Sequence, residues 1–178
     1  MASSNKSNGS VVIYAEPPRE VGEVVLDERV PSKLDEKTPL ITRILDILMD
    51  RRFIDEYENP LVRLCLDEAI VNAIRHGNKY DEAKIVHVQL FTNQVEWAIR
   101  IEDQGEGFDP ADVPDPSDPE SLILEGGRGI LLMNEFMDEV YYFDGGRGLQ
   151  LAKRRVTLVH KLLRIPGKVV RKVKRLFG

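Results

Sequence analysis

Residues 64–78 read LCLDEAIVNAIRHGN and carry the strongest local signal in the sequence. Apolar residues recur there at helical spacing, yet Glu68 and Asn72 lie inside the pattern, four residues apart. At 100° per residue their side chains lie within about 40° of each other on the helix. Because a buried carboxylate without a partner is costly, Glu68 and Asn72 either meet a cation or a polar ligand, or Glu68 bonds to backbone or lies at a solvent-exposed edge.

Length and composition narrow the class of protein. A chain of 178 residues suits one domain with a real core. The lone Cys65 excludes a disulfide framework and a multi-cysteine metal site, and three scattered histidines argue against zinc. There is no apolar run of the roughly 18–20 residues that a membrane span needs, and the first residues lack a signal-peptide core. We expect a cytoplasmic protein whose residues 1–20 form a disordered leader.

Outward from this helix, the pattern predicts alternating strands and helices. The central helix starts at Asn59–Pro60 and runs to His76, with Gly77 as its C-cap. The other predicted elements are a strand at 23–30, a helix at about 39–52 that starts at Thr38–Pro39 and buries Ile41, Ile44, Leu45 and Leu48, a hairpin of 84–91 and 95–102, a helix at about 129–138, and strands near 139–144 and 147–152. This order predicts an α+β fold, a two-layer α/β sandwich with a mixed, mainly antiparallel sheet and helices on one face.

Two glycine-rich loops are the other candidate functional segments. Asp103 ends a strand and can accept a hydrogen bond from an exocyclic amine, while Gly105 and Gly107 let a flat ring approach the backbone. Residues 126–130, GGRGI, precede an apolar helix, so exposed N–H groups and the helix N-terminus favour a phosphate there. Arg128 could add a charge-assisted contact. Each signal alone is weak, and neither is a P-loop or a dinucleotide fingerprint.

Together, and in this order, the three segments are specific. They resemble the N, G1 and G2 boxes of the Bergerat-type ATP-binding fold shared by gyrase, histidine kinases and MutL. Within that superfamily, DEAIVNAIRHGN (67–78), IEDQGEGFDP (101–110) and EGGRGILLMNEFMDEVYY (125–142) are most similar to the anti-sigma factor serine/threonine kinases. The resemblance covers roughly 23–153, which divides the chain into the leader, an ATP-binding domain at 21–153 and a tail at 154–178.

The resemblance implies an ATP- and Mg²⁺-dependent protein kinase in a partner switch. Glu68 would be the general base on a serine or threonine hydroxyl of an antagonist protein, and Asn72 would coordinate Mg²⁺. Asp103 would accept from the adenine amine, and 115–128 would be the ATP lid. The implied partners are the antagonist, a sigma factor or another regulator, and a second copy of the chain. The implied ATP-binding residues are Asn72, Arg75, Asp103, Gly105, Gly107, Gly126, Gly127, Arg128, Gly129 and Ile130.

Two departures from the family pattern support an alternative. Leu124 and Glu125 stand where the family often has a basic residue before the lid glycines. The last hairpin reads GGRGL at 145–149, where family members tend to have Gly-Thr. The alternative is a nucleotide-gated protein-binding module whose catalysis has decayed, and a third hypothesis is a membrane-associated scaffold that binds no nucleotide.

The C-terminal segment has a different charge from the body. From Lys153 onward the chain has ten Lys or Arg and no Asp or Glu, although the whole chain has a net charge of −5. Apolar residues recur at helical spacing on both sides of Pro166–Gly167. A basic amphipathic segment can contact an anionic membrane or an acidic partner, or it can pack on the acidic body. Without a groove-reading motif, direct nucleic-acid binding is not expected.

Overall fold

The computed structural model describes residues 11–109 and 127–155, and of Gly127 and Arg128 only the backbone. Within these ranges six strands and three α-helices follow one another in the chain. They are β1 (Ile13–Tyr14), β2 (Glu23–Pro31), α1 (Leu34–Asp50), α2 (Asn59–Asn72), β3 (Ile85–Thr92), β4 (Glu96–Glu102), α3 (Gly127–Phe136), β5 (Glu139–Phe143) and β6 (Gly148–Arg154). A π-helical turn, Ala73–Gly77, follows α2, and a 3₁₀ turn, Asp144–Gly146, precedes β6.

The strands form one sheet in the order β1-β5-β6-β4-β3-β2. Only the β1–β5 pair is parallel among the described strands. Alternate residues of the strands, such as Val88 and Ile99, pack with Ile44 and Ile70 of the helices in one core. The predicted α+β sandwich with a mixed, mainly antiparallel sheet is therefore confirmed.

The start of α1 differs from the prediction. The helix begins at Leu34, and Pro39 lies inside it rather than at its first position. Asp35 and Glu36 occupy the first turn, where the helix dipole favours negative charge. The proline removes one backbone N–H, but the helix continues because its apolar stripe is buried. As predicted, that stripe contains Ile41, Ile44, Leu45 and Leu48.

Strand β1 was not predicted and lies within the stretch expected to be a disordered leader. It pairs Ile13 with Tyr142, and the Tyr14 ring stacks on Tyr141 at 4.1 Å between centroids. A two-residue strand held by residues far along the chain leaves no local pattern. Most of the predicted lid, 115–126, and the tail from residue 156 onward lie outside the described residues. No helix of the described ranges is long and apolar enough to cross a membrane.

Candidate nucleotide site

Helix α2 carries Glu68 and Asn72 at the edge of its buried surface. Its core side is formed by Val62, Cys65, Leu66, Ala69 and Ile70. Glu68 and Asn72 are both partly exposed. The polar pair therefore faces a boundary that a ligand or solvent can reach.

The Glu68 carboxylate lies against the first turn of α3. A Cβ built on Gly129 would lie 2.6 Å from Glu68 Oε2 and 3.3 Å from Cδ. Since real Cβ atoms do not approach other atoms so closely, any side chain at position 129 would force the Glu68 carboxylate to move. The contact brings together the predicted base and a predicted phosphate-binding glycine, which are distant in sequence.

The structure describes the other predicted residues of this loop only in part. Gly127, Arg128 and Gly129 form the start of α3 rather than a loop before it. The Arg128 side chain and all of Gly126 lie outside the described part of the chain. Ile130 is half-buried and packs against the core, so its side chain anchors α3.

The surroundings of Glu68 change its acidity. Burial raises the pKa of the carboxyl above its usual value, the neighbouring Asp67 charge adds to the rise, and Lys37 opposes it. Lys37 Nζ donates a hydrogen bond to Asp67 at 2.8 Å, which places this cation beside the acidic pair. A raised pKa suits a general base, because a more basic carboxylate accepts a proton more readily.

The helix ends in the π-helical turn Ala73–Gly77, not in a regular last turn with Gly77 as C-cap. The Asn78 N–H donates to the Ala73 carbonyl at 2.8 Å, five residues back. π-helical turns often occur at functional sites. The predicted phosphate ligand Arg75 lies in this turn with its side chain partly exposed.

Asp103 lies directly after β4, held between two glycines. A Cβ built on Gly77 would lie 2.5 Å from Asp103 Oδ1. On the other side the Gly105 N–H donates to the same oxygen at 2.7 Å. A Cβ on Gly105 would lie 2.6 Å from the Gly77 carbonyl carbon, so the three residues pack tightly.

Burial raises the pKa of the Asp103 carboxyl from 3.8 to about 6, although the Gly105 N–H bond opposes the shift. Perturbed carboxyls cluster at binding and catalytic sites. The loop then continues through Gly107 at φ 78°, and the next N–H, that of Phe108, donates to the Gly145 carbonyl at 3.0 Å. These contacts fix the loop that begins at Asp103 against the 3₁₀ turn.

Three residues of this site were not predicted. Gly77 was assigned only as a helix cap, Asn78 was given no role, and Gly145 was noted only as part of a departure from the family pattern. Asn78 is fully buried, its Oδ1 accepts the Gln104 N–H at 2.7 Å and its Nδ2 donates to the Ile85 carbonyl at 2.8 Å. A single sequence has no signal for the contacts of Asn78 with Gln104 and of Gly77 with Asp103, because they join segments that are distant along the chain.

Comparison with known proteins agrees with the geometry. The family model of the histidine kinase-like ATPase domain matches residues 30–158. The serine-protein kinase RsbW of Bacillus licheniformis is 32% identical over 99 residues, 52% of this chain and 62% of that protein. The serine/threonine-protein kinase BtrW of Bordetella bronchiseptica is 32% identical over 81 residues, 44% of this chain and 57% of that protein. The anti-sigma F factor of Clostridium perfringens is 29% identical over 99 residues, 53% of this chain and 69% of that protein.

Each match thus spans roughly 57–69% of the relative's own length. The resemblance to anti-sigma factor serine/threonine kinases is nevertheless confirmed, since these relatives carry such names. The family match extends over more than half of the sequence and contains the candidate site residues. The chain belongs to the histidine kinase-like ATPase domain family.

Proposed function

We propose that this protein is an ATP-binding serine/threonine protein kinase that phosphorylates an antagonist protein and sequesters a regulator, such as a sigma factor, in a partner switch. The observation that carries the proposal is the Glu68 carboxylate lying against Gly129 in the first turn of α3. A helix N-terminus favours phosphate, so a base would stand beside the group to be transferred. The relatives named as serine or serine/threonine kinases support this reaction class.

The residues present fit an adenine ring. Asp103 Oδ1 accepts the Gly105 N–H, while Oδ2 takes no hydrogen bond from the residues that the structure describes. That oxygen would accept from the exocyclic amine. Gly77 and Gly105 leave no side chains that would displace the carboxylate or cover it.

Asn72 fits a magnesium ligand. Its amide is partly exposed and makes no hydrogen bond within the described ranges. An amide oxygen suits Mg²⁺, which is usually held by one or two protein ligands together with phosphate oxygens and water. When bound, the ion would neutralise charge on the phosphates. Among the described residues, no group of three or more His, Cys, Asp or Glu side chains could hold a metal ion.

Each residue then has a distinct role in phosphoryl transfer. Glu68 would take the proton from the attacking hydroxyl of the antagonist's Ser or Thr as that oxygen bonds to the γ-phosphorus of ATP, while the bond from this phosphorus to the β–γ bridging oxygen breaks and ADP leaves. The N–H groups at the start of α3 would orient the transferred phosphoryl group, with Arg75 and Arg128 as further cations. Glu68 and Gly77 are separated by about 13 Å along the helix axis, which would place the adenine at one end of the site and the transferred phosphoryl group, with the base beside it, at the other.

Phosphate transfer from labelled ATP–Mg²⁺ to candidate antagonists tests the proposal. Wild-type protein should label one Ser or Thr, and Glu68→Gln should remove the labelling while ATP binding remains. Glu28→Gln, which changes a carboxylate in a surface ion pair with Arg43, is the matched control and should behave as wild type. Asn72→Ala should weaken Mg²⁺-dependent ATP binding. Transfer that continues undiminished in Glu68→Gln would refute the assigned base.

A second candidate function is a nucleotide-gated binding module without catalysis. Leu124 and Glu125 before the lid glycines support it, as does the last hairpin, which reads GGRGL at 145–149 where the family tends to have Gly-Thr. This module would bind its regulator in an ATP-dependent way, with no Glu68-dependent transfer.

We also propose that the chain forms a homodimer and that its basic tail contacts an anionic membrane or an acidic partner. Light scattering tests the oligomeric state, and co-sedimentation with anionic vesicles tests the membrane contact.

A further inference from the structure

Asn78 joins three segments that meet behind Asp103. It ends the π-helical turn, and its side chain is fully buried. Its amide oxygen accepts the Gln104 N–H at 2.7 Å, and its amide nitrogen donates to the Ile85 carbonyl at 2.8 Å. Both bonds of the side chain go to backbone groups, one at the start of β3 and one in the loop after β4.

The Gln104 side chain makes the third hydrogen bond among these segments. Its side-chain Oε1 accepts the Ile85 N–H at 2.8 Å. Asn78, Gln104 and Ile85 are therefore joined by three hydrogen bonds in a ring, which we call the Asn78 clamp. Gln104 is itself exposed, and it directly follows Asp103 in sequence.

The clamp holds Asp103 from one side. The backbone on the other side is also fixed, because the Asp103 N–H donates to the Arg147 carbonyl at 3.0 Å. Between these anchors the Asp103 carboxylate must fit the narrow space between Gly77 and Gly105. A loop shifted by loss of the Gln104 bond would move the carboxylate out of that space.

The backbone directly after Asn78 is strained, which also indicates that the surrounding structure holds this segment in place. Lys79 and Tyr80 have φ angles of 55° and 59°, a conformation that non-glycine residues rarely adopt. The Tyr80 N–H reaches back to the Ile74 carbonyl at 2.9 Å. Such strain persists only where the surroundings hold it, and it is concentrated at functional sites.

We propose that Asn78 is a positioning residue that sets the preference of the site for adenine over guanine nucleotides by fixing Asp103. The inference rests on the proposed function, since it assumes that Asp103 accepts from the adenine amine. Asn78 would not touch the nucleotide. Its buried amide would act through Gln104, the residue next to Asp103.

Calorimetric titration of ATP–Mg²⁺ and GTP–Mg²⁺ tests the inference. Wild type should prefer ATP, and Asn78→Ala should weaken ATP binding about tenfold, the size expected when a buried hydrogen-bonding group loses its partner, with little change for GTP. Gln104→Ala removes one hydrogen bond of the clamp at an exposed side chain, so this variant should fold. Its affinity for ATP should fall about threefold, with little change for GTP.

Leu48→Ala is the control for a general loss of stability. Leu48 is fully buried near the end of α1. Arg51, directly after that helix, donates to Thr92 at the end of β3, and this contact lies at the opposite end of β4 from Asp103. This variant should be less stable than wild type but keep the full preference for ATP.

A second readout does not need a nucleotide. Titration of the Asp103 carboxyl by NMR should give a pKa near 6 in wild type and a lower value in Gln104→Ala and Asn78→Ala, because a displaced carboxyl is better solvated. Leu48→Ala should leave it unchanged. If both clamp variants keep the wild-type pKa and the wild-type ATP preference, the inference is wrong. A wild type that binds no ATP would instead overturn the proposed function, while the titration would still decide whether Asn78 fixes Asp103.

Discussion

A single methyl group at Gly77 tests whether Asp103 determines nucleotide affinity. A Cβ at this position would lie 2.5 Å from Asp103 Oδ1, where real Cβ atoms are not found. The carboxylate cannot retreat, because the same oxygen is bonded to the Gly105 N–H at 2.7 Å and Gly105 packs against the Gly77 backbone. In Gly77→Ala either the carboxylate leaves its place or the π-helical turn opens.

Both outcomes have a magnitude that can be stated in advance. Overpacking of this kind costs about 1–3 kcal/mol of stability. If the carboxylate is displaced, the hydrogen bond between a charged acceptor and the adenine amine is lost, which is worth about 1.5–3 kcal/mol. ATP affinity should therefore fall roughly 10- to 150-fold.

Calorimetric titration of ATP–Mg²⁺ near neutral pH measures the affinity, and thermal unfolding measures the stability of the same samples. Gly22→Ala is the matched control. Its Cβ would lie 2.7 Å from the Thr92 carbonyl carbon, in the region of the β3–β4 loop, so it should lower stability without changing ATP affinity. A folded Gly77→Ala protein that binds ATP within twofold of wild type would show that Asp103 is not the adenine acceptor.

Three further predictions concern the ionisable groups. ATP affinity should fall about tenfold from pH 7 to pH 5 as the Asp103 carboxyl, with a pKa of about 6, takes up a proton, and titrations of Asp103→Asn should lack this component. Lys37→Ala removes a cation that lowers the pKa of Glu68, so the acidic limb of the kcat profile should move to higher pH, whereas Lys33→Ala should leave it in place. Gly129→Ala places a Cβ 2.6 Å from the Glu68 carboxylate and should reduce kcat about 100-fold in phosphotransfer assays. An unchanged kcat in this variant would count against Glu68 as the base.

Local signals in the sequence were sufficient for much of the sheet. The hairpin predicted at 84–91 and 95–102 is observed as Ile85–Thr92 and Glu96–Glu102. Its turn is stabilised by neighbours in sequence, since Asn93 Oδ1 accepts the Val95 and Glu96 N–H groups at 2.8 and 3.0 Å. Alternation and turn chemistry are short-range properties, so a single sequence records them.

Elements that depend on distant residues were not predictable in the same way. Strand β1 exists because Ile13 and Tyr14 add to the edge of β5, more than a hundred residues later. The early start of α1 depends on burial of its apolar stripe, which outweighs the proline signal at Pro39. Spacing could nominate Glu68, but its contact with Gly129 depends on how α2 and α3 pack.

The π-helical turn shows why helical periodicity does not predict the contacts around Asp103. In a regular α-helix the Asn78 N–H would bond to the Ile74 carbonyl; here it bonds to Ala73, and Ile74 accepts from Tyr80 instead. The wider turn carries one more residue than a count of 3.6 per turn allows. Asn78 is thereby buried beside Gln104, and Gly77 lies against Asp103. The local rule for helices fails at the point where the structure assembles the contacts around Asp103, which is where a functional constraint is expected to override it.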